Sequence, residues 1–156
     1  MIFHLSSQWT IALNFVIWFF IHGGVSISVA RVEQASFNPE SWLCRERSWE
    51  KNGKMYDVIF KVKRWKRFLP DGAAISRNGF RKKNLHSLDT AYIQKFIVET
   101  CRAELTHWIV FAFSIIFFLW NVWWVGMIMI AYALIVNIPC VITQRYNRIR
   151  LRRVVT

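Results

Sequence analysis

Two long stretches of this 156-residue sequence, residues 1–30 and residues 105–144, contain no Lys, Arg, Asp or Glu. An α-helix needs about 20 apolar residues to cross the hydrocarbon core of a membrane, which is about 30 Å thick. Because charge is costly inside lipid, such stretches exclude an ordinary soluble domain. The sequence therefore predicts an all-α integral membrane protein, with about three transmembrane helices plus a basic interfacial helical segment, in a single membrane domain over residues 1–156.

Cysteine is also scarce. The three cysteines, Cys44, Cys101 and Cys140, are an odd number and have no metal-ligand spacing. We therefore predict reduced thiols, no metal and no cofactor.

The two uncharged stretches differ in length, and the second is too long for one crossing. The first predicts a span at about residues 9–29. The second has 40 residues, which as a straight helix would measure about 60 Å. The indoles of Trp120–Trp124 suit a membrane interface, so we place a break near Asn121. The predicted second and third spans are then at about residues 104–119 and 125–143.

The basic residues predict the orientation. Residues 31–102 carry 16 Lys and Arg, and residues 145–153 carry five more. The positive-inside rule places both in the cytoplasm and the N-terminus and the Trp120–Trp124 turn outside. We expect a multi-pass protein of the cell membrane, with the C-terminus and segment 31–102 cytoplasmic. Cleavage of a signal peptide after the small residues Ser28–Ala30 is an alternative, although the stretch before them has no basic region.

The formal net charge is +12 at pH 7. In a membrane protein, this charge is explained by orientation and by attraction to anionic head groups. We therefore expect anionic lipids among the partners and no nucleic acid.

The predicted cytoplasmic segment contains an amphipathic stretch. Its apolar residues recur at helical spacing, and cations fill most of the other positions. The apolar residues are Met55, Val58, Ile59, Val62, Trp65 and Leu69, and the cations are Lys61, Lys63, Arg64, Lys66 and Arg67. The pattern predicts an interfacial helix that ends at the turn residues of Leu69–Gly72, with a strand over residues 56–62 as the alternative. The helix is either a passive surface anchor or a site for the phosphates of an acyl-CoA or acyl carrier protein.

Two ionisable residues lie on the apolar face of the next predicted helix, which begins near Asp89. At 100° per residue, Glu104 and His107 project with Ile93. A Glu-x-x-His pair occurs in di-metal helical bundles, but a second such motif is missing here. The pair could instead be a buried hydrogen bond that fixes helix packing. The third interpretation is catalytic: Glu104 orients His107 as a general base that takes a proton from a hydroxyl, as acyl transfer to an alcohol requires.

The last span also carries polar residues on one face. Asn137, Gln144 and Arg148 share this face, and Pro139 frees a backbone carbonyl nearby. The segment Gln144–Arg148 is either a snorkelling basic cap or a functional site. In a functional site, Arg145 and Arg148 would bind a donor phosphate or a developing oxyanion near His107.

Two motifs, separated by an apolar hairpin, resemble a known family. Arg102-Ala-Glu-Leu-Thr-His-Trp108 and Gln144-Arg-Tyr-Asn-Arg148 are similar to motifs of the glycosyl-diaponeurosporenoate acyltransferases of carotenoid biosynthesis in Gram-positive bacteria. The segments Glu50–Gly53, Arg64–Lys66 and Leu69–Gly72 resemble the same pattern, so the resemblance covers about residues 49–151. This sequence departs from the family at Ile149, where family members have proline, and in its more aromatic Trp120–Trp124 turn.

The resemblance implies an acyltransferase that esterifies a sugar hydroxyl of a glycosylated carotenoid, or of a similar membrane-dissolved glycolipid, with a fatty acyl chain. It supports His107 and Glu104 as catalytic residues. By matching motif, the implied substrate-binding residues are Arg145, Asn147, Arg148, Trp65, Lys66 and Asp71. Because no serine or cysteine stands in a nucleophile motif, we favour direct transfer from the donor. The alternative is a non-catalytic membrane module that binds anionic lipid or scaffolds pathway enzymes.

Overall fold

The computed structural model describes residues 6–69, 87 and 89–155. Within these residues there are five α-helices and no strand. The helices are α1 (Ser7–Arg31), α2 (Lys54–Val58), α3 (Val62–Trp65), α4 (Thr90–Phe113) and α5 (Trp123–Val155). Shorter 3-10 segments are formed by Gln34–Ser36, Ser48–Gly53, Lys66–Phe68 and Ser114–Leu119.

Three helices are long and apolar enough to cross a membrane: Ser7–Arg31, Thr90–Leu119 and Trp123–Val155. This confirms the predicted all-α class with three membrane helices. Helix α5 has 33 residues, about 50 Å at 1.5 Å per residue, and therefore exceeds a hydrocarbon core of about 30 Å. Asn121 lies in the turn before α5, at the position of the predicted break.

Helices α4 and α5 form an antiparallel hairpin, and α1 packs against α4. We call the end with the turn at residues 120–122 the hairpin end, and the opposite end the basic end. Between α1 and the hairpin, Trp18 stacks on Phe117 with ring centroids 4.6 Å apart. On the outer side of α1, Phe15 and Phe19 are each 74% exposed. Such exposure suits a helix that faces lipid.

A small polar cluster fixes α1 at the hairpin end. Asn14 and Asn121 are both buried, and each side-chain amide donates to the other, at 3.1 and 2.9 Å. The indole Nε1 of Trp120 also donates to Asn14 Oδ1 at 2.8 Å. Because both asparagine side chains are buried, these hydrogen bonds satisfy polar groups that would otherwise have no partner.

The amphipathic stretch after Met55 differs from the predicted single helix. It forms two short helices, α2 and α3, because Lys61 adopts a left-handed conformation between them, with φ 49° and ψ 41°. Val58 and Ile59 are consequently 73% and 66% exposed, whereas Val62 is fully buried in a cluster with Tyr146. The predicted apolar stripe is therefore divided between two surfaces.

Candidate active site

A buried ionic cluster joins α4, α5 and the 3-10 segment Ser48–Gly53 at the basic end. Glu104, 1% exposed, has Oε1 2.9 Å from Arg145 Nη1 and Oε2 in contact with Arg148 Nη2. The fully buried Glu50 accepts from Arg145 Nε at 2.9 Å. Two carboxylates thus face two guanidinium groups. The negative and positive charges are therefore equal in number. Buried charges need such pairing, because breaking one pair leaves an uncompensated charge.

The two arginines also hold the chain before Glu50. Arg145 Nη1 and Nη2 donate to the backbone carbonyls of Leu43 and Arg45 at 2.7 and 3.1 Å. Together with the bonds to Glu50 and Glu104, these contacts use all five N–H groups of Arg145. Arg148 Nε donates to the carbonyl of Cys44 at 2.8 Å. The predicted binding of phosphate or oxyanion by these arginines stays a prediction, and the contacts favour a role in holding the site together.

Glu50 has a shifted ionisation that reflects this cluster. Burial by itself would raise the pKa of Glu50, but hydrogen bonds from Arg145 and Tyr56 outweigh it, and the pKa is lowered below its ordinary 4.5. Burial, followed by the adjacent Glu50, raises the pKa of Tyr56. Glu50 is therefore a carboxylate, and the hydroxyl of Tyr56 donates to it.

His107 lies closer to the hairpin end and has a different partner. Its Nδ1 is 2.9 Å from Oδ1 of Asn137, a residue of α5 that is 1% exposed. The amide of Asn137 is oriented by its own helix, because Nδ2 donates to the carbonyl of Ala133 at 2.9 Å. The oxygen of the amide therefore points to the imidazole.

This orientation assigns the tautomer of His107. An amide oxygen can only accept, so Nδ1 of His107 must carry the hydrogen. In the neutral imidazole, Nε2 then carries the lone pair and is the basic nitrogen. A histidine oriented through Nδ1 in this way has the arrangement of a general base.

The partner of His107 differs from the expected one. We predicted that Glu104 would orient His107, since both project from the same face of α4. The structure instead pairs Glu104 with Arg145 and Arg148, and Trp108 Nε1 lies 3.4 Å from its Oε1. The reason is that this face of α4 meets different levels of α5, with cations opposite Glu104 and an amide opposite His107.

The other predicted binding residues that the structure describes, Trp65, Lys66 and Asn147, are partly buried at the basic end. Lys66 Nζ donates to Asn147 Oδ1 at 3.2 Å, which brings two of them together. Trp65 Nε1 donates to the carbonyl of Phe60 at 2.7 Å and thereby stabilises the bend before α3. Asp71 lies outside the described residues.

Glu50 and Tyr56 were not predicted as site residues, although Glu50 stands in one of the shorter motifs. A signal was present in the charges. Arg145 and Arg148 lie on a helix that packs in apolar surroundings, and Glu104 alone cannot neutralise both. A second carboxylate was therefore required, but the sequence does not say which of several it would be.

Comparisons with known proteins agree with the resemblance. Residues 39–156 match the family model for Glycosyl-4,4'-diaponeurosporenoate acyltransferase. Proteins of that name from Staphylococcus aureus strains RF122 and USA300 are each 34% identical over 134 residues, covering 86% of this chain and 81% of the relative. No solved structure matches the chain. The chain therefore belongs to the glycosyl-4,4'-diaponeurosporenoate acyltransferase family.

Proposed function

We propose that this protein transfers a fatty acyl chain to a sugar hydroxyl of a glycosylated carotenoid, or of a similar glycolipid dissolved in the membrane. The observation that carries the proposal is the His107–Asn137 pair. Asn137 fixes the tautomer of the His107 imidazole, which lies between two apolar helices. The names of the family relatives support the acceptor class. The basic end would lie in the cytoplasm, where acyl-CoA and acyl carrier protein are found, and its cations would also attract anionic lipids.

The proposed reaction is a direct transfer. Nε2 of His107 takes the proton of the sugar hydroxyl while the oxygen attacks the carbonyl carbon of the acyl thioester. The tetrahedral intermediate then expels the thiolate, and the imidazolium returns the proton to the sulfur. The products are an ester and a free thiol. Asn137 holds the imidazole in the required orientation throughout. Glu104 takes no part in the proton transfer; it contributes by pairing with Arg145 and Arg148 in the buried ionic cluster.

The experiment uses the purified full chain in lipid nanodiscs, with a glycosylated carotenoid as acceptor and a fatty acyl-CoA as donor. We expect a product whose mass exceeds that of the acceptor by one acyl group. His107→Ala should lower kcat by about 10²–10⁴-fold, the usual contribution of general acid–base catalysis. His22→Ala, the same change on α1, is the matched control. Unchanged turnover in the folded His107→Ala variant would refute the assignment of His107 as the general base. If the wild-type protein forms no product, the result would favour a non-catalytic module.

Variants of Asn137, measured in the same assay, show whether this residue positions the His107 imidazole or only fills space between the helices. Asn137→Leu removes the acceptor for Nδ1 and should lower kcat by about 10²-fold with little change in KM, because the imidazole is no longer held in place. Asn137→Asp restores an acceptor oxygen and should recover part of the loss. Equal losses in both variants would indicate that Asn137 only fills space.

A further inference from the structure

An exposed apolar surface lies beside α2, at the basic end, and the proposed mechanism does not use it. Trp49 and Phe60 are 54% and 41% exposed, and their ring centroids lie 6.4 and 6.3 Å from that of the buried Tyr56. Val58 and Ile59, directly before Phe60, are 73% and 66% exposed. We call Trp49 and residues 58–60 the α2 surface. Large apolar side chains that are exposed together indicate a surface that contacts something other than water.

The depth of the α2 surface follows from the packing of α2 and α3 on α5. Side chains of the two short helices form a buried cluster with Tyr146 and Ile149 of α5, and Ile142 packs against this cluster. Counted from Trp123, the first residue of α5, a hydrocarbon core of about 30 Å ends after about 20 residues, near Ile142. Ile149 lies about 10 Å further along the helix. The α2 surface is therefore attached where the hydrocarbon core gives way to the lipid head groups.

The charge around the α2 surface is strongly positive. Residues 51–67 contain seven Lys and Arg and one acidic residue, Asp57. Asp57 pairs with Lys63 at 2.8 Å, and Lys61 and Arg64 are exposed. Apolar residues flanked by cations, with a tryptophan among them, are typical of segments that insert into the interface of an anionic membrane. At head-group depth, lipid surrounds every side of the protein that is not covered, so lipid fits this surface better than an acidic protein does.

We propose that the α2 surface inserts into the head-group layer of the leaflet at the basic end, with Lys61 and Arg64 on the phosphates of anionic lipids. The left-handed conformation of Lys61 separates the exposed apolar residues before it, which face lipid, from Val62, which packs on α5. The inference goes beyond the proposed function and does not depend on acyl transfer. Because Trp49 precedes Glu50 of the buried ionic cluster, insertion would also hold this part of the cluster at the membrane.

The test measures depth in the full chain, in nanodiscs that contain phosphatidylglycerol. In a background without Cys140, the remaining cysteines are buried, and Ile59→Cys carries the fluorophore NBD. We expect blue-shifted emission, quenching by doxyl-labelled lipid, and several-fold weaker quenching by the neutral aqueous quencher acrylamide than at Val154→Cys. Val154 is a 56% exposed apolar residue near the end of α5, and Phe15→Cys, on the outer side of α1, provides the signal of a lipid-facing position.

A signal at residue 59 that matches Val154→Cys would overturn the proposal and leave the α2 surface to a protein partner. The lipid charge is tested in the same labelled chain. Lys61→Gln combined with Arg64→Gln should reduce quenching by doxyl-labelled lipid in phosphatidylglycerol but not in phosphatidylcholine. Arg31→Gln combined with Arg153→Gln removes the same charge from other exposed positions and should have no effect. Equal effects of the two double variants would overturn the contact of Lys61 and Arg64 with anionic lipid.

Discussion

Glu50 is a single residue on which several parts of the site depend. Its carboxylate is fully buried and contacts Arg145 of α5 and Tyr56 of α2. The lowered pKa of Glu50 means that the folded state binds its proton more weakly than the unfolded state. Glu50 therefore stabilises the fold fully above the ordinary value of 4.5, and this contribution is lost as the pH falls through the lowered value.

We expect Glu50→Gln to lower the free energy of unfolding at pH 7 by about 3 kcal/mol, since one partner of a buried ion pair is removed. The difference from wild type should shrink as the pH falls below 4.5. Thermal melting of the detergent-solubilised protein from pH 7 downward measures both effects. Glu33→Gln, at an exposed position, should follow wild type at every pH. A difference that stays constant with pH would contradict the role of the charge.

Two central residues of the site, Glu104 and His107, were predictable, but their partners were not. Glu104 and His107 could be found because helical periodicity places each side chain on a face of its own helix. Their partners are 44 and 30 positions away along the chain, at Arg148 and Asn137. Periodicity does not fix the level at which two helices meet. A shift of one turn would have placed other residues of α5 opposite Glu104 and His107.

Helix α1 is attached to the hairpin by a few polar contacts together with apolar packing. Its outer face is exposed, and its inner face packs on the hairpin through Trp18 and the Asn14–Asn121 amide pair. Lipid is as apolar as these side chains, so burial of apolar surface contributes less to helix association than in water. The amide pair should therefore have a measurable effect on the attachment of α1.

We expect Asn14→Leu to lower the free energy of unfolding by about 1–2 kcal/mol, because it removes three hydrogen bonds of Asn14, each worth about 0.6 kcal/mol on average between membrane helices. Unfolding by a denaturing detergent in mixed micelles measures this change. Phe15→Leu alters the neighbouring residue, which is 74% exposed, and should have little effect. If both variants match wild type, α1 is held by packing alone.

The elements differ in how far their sequence determines them. The long helices were predicted because uncharged stretches of this length have few alternatives in a membrane. The stretch from Met55 to Leu69 was predicted as helical, but its break was not. Lys61 has a positive φ, which is rare for lysine, and Val62 next to it is buried against Tyr146. A tertiary contact thus overrides the local period.

At the scale of the whole molecule, orientation is the property that decides which substrates can reach the site. Wild type without Cys140 provides the background, because Cys44 and Cys101 are buried. We expect Ser48→Cys to react with a membrane-impermeant maleimide only in opened cells, and Val122→Cys to react in intact cells. Both positions are exposed. The opposite pattern would reverse the orientation and place the basic end outside.

The buried ionic cluster also has a consequence for the order of assembly. Glu50 and the carbonyls of residues 43–45 are synthesised long before Arg145 and Arg148, which bind them. Until residues 145–148 leave the ribosome, residues 43–50 lack the two arginines that bind them in the folded protein. The membrane helices can insert one at a time, but the basic end closes only after residues 145–148 have been synthesised. A chain that stops before Arg145 would leave the carboxylates of Glu50 and Glu104 without the guanidinium groups that pair with them in the folded protein.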